Sequence, residues 1–144
     1  YIPAGHDAGP RLAALGAKMY REAPSYASVL ERYRKALADA RMGTTLYLAG
    51  SEGMIGQAVA EALAAGLPPE AIQTEHRGTI ARRMQCVHCK GVTENVTTDP
   101  FVCSHCGLTL FVRDHFSRRL GAFQGVCVDA ETPGIVPAVQ EIKP

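Results

Sequence analysis

Four cysteines fall in two matched pairs, Cys86-Val87-His88-Cys89 and Cys103-Ser104-His105-Cys106, with thirteen residues between the pairs. Each Cys-x-x-Cys turn presents two thiolates to one ion, and two such turns joined by a short hairpin complete a tetrahedral site of four sulfurs. A chain with this pattern is constrained to fold so that both turns meet, which predicts a metal-binding ribbon in its second half. Glycine stands two residues after the first pair (Gly91) and directly after the second (Gly107). Lacking a Cβ, glycine lets backbone N–H groups turn toward the sulfurs. Cys86, Cys89, Cys103 and Cys106 are therefore the predicted metal ligands.

The same residues could make two disulfides, but the chain shows no secretory apolar run, and paired thiols inside cells more often hold a metal. Attachment of a c-type haem needs histidine after the second cysteine of a pair, and Lys90 and Gly107 stand there. A redox dithiol needs a single Cys-x-x-Cys in a thioredoxin-like setting, which is missing. Zinc is the favoured ion because it is redox-inert and suits closed four-sulfur sites. Iron in the same tetrahedron would make a rubredoxin-like electron carrier, and the residues separate the two poorly. His88 and His105 read as exposed loop residues, each placed where it could replace a lost thiolate. Cys127 reads as a small buried hydrophobe in the strand-like run Gly125–Val128, with a reactive or ligating thiol as the alternative.

The 144 residues are 47% hydrophobic, enough for one domain or two small ones with a packed core. Tryptophan is absent and aromatics make up 6%, which argues against stacking platforms for single-stranded nucleic acid. No apolar run approaches the ~18 residues of a membrane span. Residues 1–79 carry eight basic and eight acidic groups, residues 80–120 six and three, and residues 121–144 one and three. So modest a basic excess suits an acidic protein partner or a single phosphate better than a nucleic-acid track. The expectation is a cytoplasmic chain with neither nucleic acid nor membrane as partner.

Three segments are expected: a small α/β Rossmann-like domain over 1–79, a four-cysteine zinc-ribbon or rubredoxin-like module over 80–120, and an extended tail over 121–144. Pro10 suits the first turn of a short helix over Arg11–Leu15, and Lys18–Glu22 suggests a short strand. Pro24-Ser25 opens a helix whose apolar residues, Tyr26, Val29, Leu30, Tyr33 and Leu37, recur at spacings of three and four. Thr45–Ala49 is a β-prone apolar run. The turn Gly50-Ser51-Glu52-Gly53 leads into a helix with Ile55, Val59, Ala62 and Leu63 on one face, stopped by Gly66 and Pro68, and Ala71–Glu75 is the next strand. Strand–helix–strand order implies a small parallel sheet. The ribbon's strands are placed near Ile80–Gln85, Phe101–Val102 and Leu108–Val112. The tail, with Pro133, Gly134 and Pro137, has no helical period.

Leu46–Ile55, Ala62–Pro68, Ile72 and Glu75 together resemble the last strand–helix–strand of ferredoxin-reductase-type NAD(P) domains, where a glycine-rich turn before a helix can bind phosphate. Ser51 stands where that family usually has proline, and no complete Gly-x-Gly-x-x-Gly occurs. The reading is a nucleotide-domain scaffold that keeps the shape and has lost the ligand.

A second resemblance rests on Ala81–Lys90, on Thr93–Thr98, on Cys103–Gly107 and on Leu110–Val126, whose Val112-Arg113-Asp114-His115-Phe116-Ser117-Arg118-Arg119 run is the most specific part. These segments are similar to the small A subunit of bacterial dimethylamine monooxygenase, as are Leu46–Gly50 and Thr74–Gly78. The resemblance implies a hetero-oligomeric oxygenase that converts dimethylamine to methylamine and formaldehyde with O2 and NADPH. It also implies a reductase subunit with flavin (FMN) and a 2Fe-2S cluster that feeds electrons to a haem-bearing subunit, with the A subunit holding a metal.

Arg113, His115, Arg118 and Arg119 form the predicted docking face for such a partner. If the run is helical, residues 115, 118 and 119 share one side and Phe116 the other. The competing reading is an internal Asp114–Arg pair. No triad, carboxylate pair or open metal site is apparent, so catalysis by this chain alone is not expected. Three classes remain: a metal-stapled structural subunit, an iron electron relay, and a zinc-ribbon adaptor for nucleic acid, the last lacking the interleaved aromatics it needs.

Overall fold

A computed structural model describes residues 8–142. The chain divides into two compact units, residues 1–42 and residues 43–144. In the first, α1 (Ala8–Ala13) is a short helix followed by Gly16 at φ +68. Helix α2 (Tyr26–Ala38) starts at Ser25, whose Oγ accepts from the Ser28 N–H while Ser28 Oγ accepts from the Ser25 N–H, both at 3.2 Å. This reciprocal cap satisfies two N–H groups that a helix start otherwise leaves unpaired. Leu37 is buried, and Tyr26 and Tyr33 meet edge-on at 6.4 Å. Lys18–Glu22, expected as a strand, forms none, because no strand among the described residues pairs with it. The Tyr20 hydroxyl instead lies 2.6 Å from the Glu22 carboxylate and 2.9 Å from the Gly9 carbonyl.

The second unit begins with β1 (Leu46–Gly50), α3 (Glu52–Ala64) and β2 (Ile72–His76). β1 and β2 pair in parallel, from Leu46 opposite Ile72 to Gly50 opposite His76. Helix α3 buries only small residues, Gly56, Ala58 and Ala62, so its backbone lies close to what it covers.

The remaining strands are β3 (Arg82–Cys86), β4 (Val92–Val96), β5 (Thr98–Asp99), β6 (Phe101–Val102), β7 (Thr109–Ser117), β8 (Ala122–Cys127) and β9 (Gln140–Glu141). Five of them form a mixed sheet in the order β4-β3-β8-β7-β6, with β3 parallel to β8 and the other pairs antiparallel. Met84 and Leu110 are wholly buried, joined by Cys86, Val96, Phe101, Cys103 and Phe123. Gly125 makes this packing possible, since a Cβ there would lie 2.8 Å from Phe101 Cζ and 2.9 Å from Leu110 Cδ1.

Two further expectations differ from the structure. The stretch from residue 121, expected as an extended tail, opens with β8, which lies inside the sheet between β3 and β7. The chain beyond it returns as β9 to pair with β5, and Ile142 packs on the core. The run Arg113–Arg119 is not helical. Pairing with β8 holds it extended as far as Ser117, and a turn follows. The β7–β8 register steps from Arg113 opposite Gln124 to Phe116 opposite Phe123, so Asp114 and His115 loop out of the ladder as a bulge.

Helix α3 docks on the β7–β8 turn through bare backbone. A Cβ on Gly121 (φ +59) would lie 2.6 Å from Gly56 C, and Arg83 Nη1 donates to the Leu120 carbonyl at 2.6 Å. Among the described residues no helix is long and apolar enough to cross a membrane.

Candidate metal centre

The two cysteine turns are built alike. The Cys86 N–H donates to the Gly91 carbonyl and the Lys90 N–H to the Cys86 carbonyl, both at 2.9 Å. In the second turn the Cys103 N–H donates to the Leu108 carbonyl at 2.9 Å and the Gly107 N–H to the Cys103 carbonyl at 3.0 Å. The residue that closes each turn is left-handed, Lys90 at φ 63 and Gly107 at φ 74. Gly91 serves differently from Gly107: a Cβ there would lie 2.5 Å from the His105 ring, so its absence lets one turn rest on the other. The Gly91 N–H also points at Cys89 Sγ, at 3.4 Å. Across the pair, Thr93 Oγ1 accepts from the Ser104 N–H at 3.1 Å, and His105 Nε2 lies 2.9 Å from the Val92 carbonyl.

These turns bring Cys86, Cys89, Cys103 and Cys106 together, with all four sulfurs within 4.8 Å of one another. Cys86 and Cys106 are 3.8 Å apart and Cys89 and Cys103 3.7 Å. A tetrahedron with metal–sulfur bonds of about 2.3 Å has edges of about 3.8 Å. The donor set therefore fits one tetrahedral ion of zinc or iron size, and the separations are too long for disulfide bonds of about 2.05 Å. Cys86 and Cys103 face the core, while Cys89 and Cys106 face solvent.

The thiols are electrostatically unequal. Burial raises Cys103, but the N–H groups of Cys106 and His105 and the neighbouring thiols outweigh it and hold the group at about 6. The Leu108 N–H lowers Cys106, yet burial and the sulfurs of Cys103, Cys89 and Cys86 push it up to about 12. Adding negative charge to this cluster becomes steadily harder, and a divalent cation at its centre removes that cost.

Cys127 stands outside the group. Its thiol donates to Asp129 Oδ1 at 3.0 Å, and that bond raises it above the ordinary thiol range. His88 is exposed on the first turn. Of the basic residues singled out from sequence, Arg113 lies over the Phe111 ring at 5.7 Å, His115 sits in the bulge, and Arg118 and Arg119 lie on the turn after β7. All four are exposed and none reaches the sulfurs. Asp114 pairs with Arg82, at 2.6 Å, and not with a neighbour in its own run.

Arg82 and Arg83 are the residues that sequence reasoning passed over. Arg82 lies 4.6 Å over the Phe123 ring, and Arg83 pairs with Glu94 at 2.7 Å. Their signal was two consecutive cations on a predicted strand, which must project to opposite faces. At the glycine turn before α3, the Met54 methyl group sits 2.3 Å from where a Cβ on Gly50 would be, so the protein's own side chain fills that space.

The family described as dimethylamine monooxygenase subunit DmmA-like, N-terminal domain, matches residues 1–72, and its C-terminal domain counterpart matches residues 83–126, which contain all four clustered cysteines. A curated relative is the heme-dependent oxidative N-demethylase delta subunit of Ectopseudomonas mendocina (strain ymp). It is 39% identical over 116 residues, covering 79% of this chain and 66% of the relative, so this chain spans just under two thirds of that protein's length. No solved structure matches.

Proposed function

The chain belongs to the DmmA-like family of dimethylamine monooxygenase subunits, and from that membership we propose that it is the metal-stapled, non-catalytic subunit of a hetero-oligomeric oxidative N-demethylase. The reaction is the oxygen- and NADPH-dependent conversion of dimethylamine to methylamine and formaldehyde. The partners are a haem-bearing subunit and a reductase subunit carrying FMN and a 2Fe-2S cluster. The chain works in the cytoplasm, where thiols stay reduced. The observation that carries the reading is the four-sulfur cluster, with edges of 3.7 and 3.8 Å at the end of a packed sheet.

In this reading Cys86, Cys89, Cys103 and Cys106 hold one zinc ion, which supplies folding energy and leaves no open position for water or substrate. The sheet then presents Arg113, His115, Arg118 and Arg119 on β7 and its turn as a rigid electropositive face for the redox partners. The β1–α3–β2 unit acts as a scaffold similar to the end of a ferredoxin-reductase NAD(P) domain, without the ligand. A second reading, an iron electron relay, draws on the solvent-side sulfurs of Cys89 and Cys106.

Co-expression of the full chain with its neighbouring subunits tests the staple. The wild type should co-purify with one zinc per chain, and Cys103→Ser should lose both the metal and the partners. A Cys103→Ser chain that still assembles in full would end the staple reading. A red, iron-loaded wild type would move the function to the relay.

A further inference from the structure

The β1–α3–β2 unit is open along one side. Strand β2 pairs with β1 on one edge, and no strand among the described residues lies on the other. The Arg77 N–H donates to the Gly50 carbonyl at 2.7 Å. Strand alternation then turns the amides of Gln73 and Glu75 toward β1 and those of Thr74 and His76 outward. Parallel sheets are ordinarily covered and built of several strands, and a lone pair is a marginal unit.

Beside β2, on the side to which β1 contributes nothing, lies a groove of about 690 Å3. It is lined by Ile72, Thr74 and His76 of β2, by Val59 and Leu63 of α3 and by Phe116 of β7. Its charged lining is mixed: Arg82 is already paired with Asp114, whereas Arg118 and the α3 carboxylate Glu52, both at the groove, make no ion pair among the described residues. The groove thus offers a free strand edge, an aliphatic floor and a spare cation, which together match an extended peptide better than a compact ligand.

We propose that this groove takes an extended segment of a partner polypeptide, which adds as a third strand to β2, sets aliphatic side chains at alternate positions against Val59 and Leu63, and places a carboxylate against Arg118. This deepens the assembly reading above and rests on it, but the two fail separately. The staple reading is judged by Cys103→Ser, and the groove is judged with the metal in place.

The zinc-loaded full-length chain is titrated with overlapping peptides that tile the subunits encoded beside it, and hydrogen exchange is followed on the chain. At least one peptide with alternating aliphatic residues and an acidic residue should bind and slow exchange at Thr74 and His76, leaving Gln73 and Glu75 as they were. Val59→Arg should weaken it about tenfold or more with zinc content unchanged. Arg118→Glu, an exposed change that spares the core, should weaken it as well, and binding should return when the peptide's acid is replaced by lysine. The proposal is overturned if no tiled peptide binds, if protection falls elsewhere, if charge reversal does not restore binding, or if a second copy of this chain already protects Thr74 and His76 in the free protein.

Discussion

The five-stranded sheet and the β1–α3–β2 unit share the compact unit of residues 43–144 and are stabilised in different ways. The sheet encloses Met84, Leu110, Phe101 and Phe123, large side chains with almost no exposure, and its open end carries the four-sulfur cluster. The β1–α3–β2 unit buries alanines 58 and 62 and Leu67, leaves Tyr47 70% exposed, and pairs only two strands. A small sheet with a core and a metal can hold its shape unaided, whereas a two-stranded parallel pair gains most of its order from what it leans on. Here that support is the Gly56–Gly121 contact. The well-packed region therefore sets the geometry, and the sparsely packed one is the natural place for a partner to add.

Removing the metal is the harshest way to break this contrast. Cys103→Ser should cost more than about 4 kcal/mol, because the metal supplies much of a small ribbon's folding energy. Exchange protection should collapse first in β3, β4 and β7. Acid should act in the same direction. Metal binding needs the cysteine thiols deprotonated, so protons displace the ion as pH falls. Metal release monitored against pH should follow that sense, and release on raising pH would contradict it. Next in size, Leu110→Ala should cost about 2–5 kcal/mol in denaturant unfolding, since Leu110 is fully buried. Leu63→Ala, on the open groove, should cost well under half as much. Equal costs would erase the distinction between the two regions.

Gly121→Ala should cost about 1–3 kcal/mol, from both its left-handed backbone and the clash with Gly56. It should loosen α3 while zinc content stays at one per chain. Smallest for the fold is the double change Arg118→Glu with Arg119→Glu. It should shift stability by less than about 0.5 kcal/mol and still weaken association with the redox subunits, because both side chains are exposed. Unaltered association would remove these arginines from the docking face.

Much of the ribbon was legible because two cysteine pairs admit few arrangements, and the α3 helix was legible because Gly50, Gly66 and Pro68 punctuate it. What escaped sequence reasoning depended on partners far along the chain. Gly125–Val128 reads as strand-like, but Ala122–Cys127 shows little alternation, since Gly125 admits Phe101 and Leu110, so nothing local places it inside the sheet. The run 113–119 is extended as far as Ser117 only because β8 lies beside it, and the ion pair of Asp114 with Arg82 spans thirty-two residues. Lys18–Glu22 has the residues of a strand and no strand among the described residues to pair with.

The most direct measurement is X-ray absorption, with metal analysis, on the full-length chain as isolated under reducing conditions. One zinc per chain, bound by four sulfurs at about 2.3 Å, is the expected result. Cysteines joined in disulfides around an empty centre, or iron in place of zinc, would contradict it.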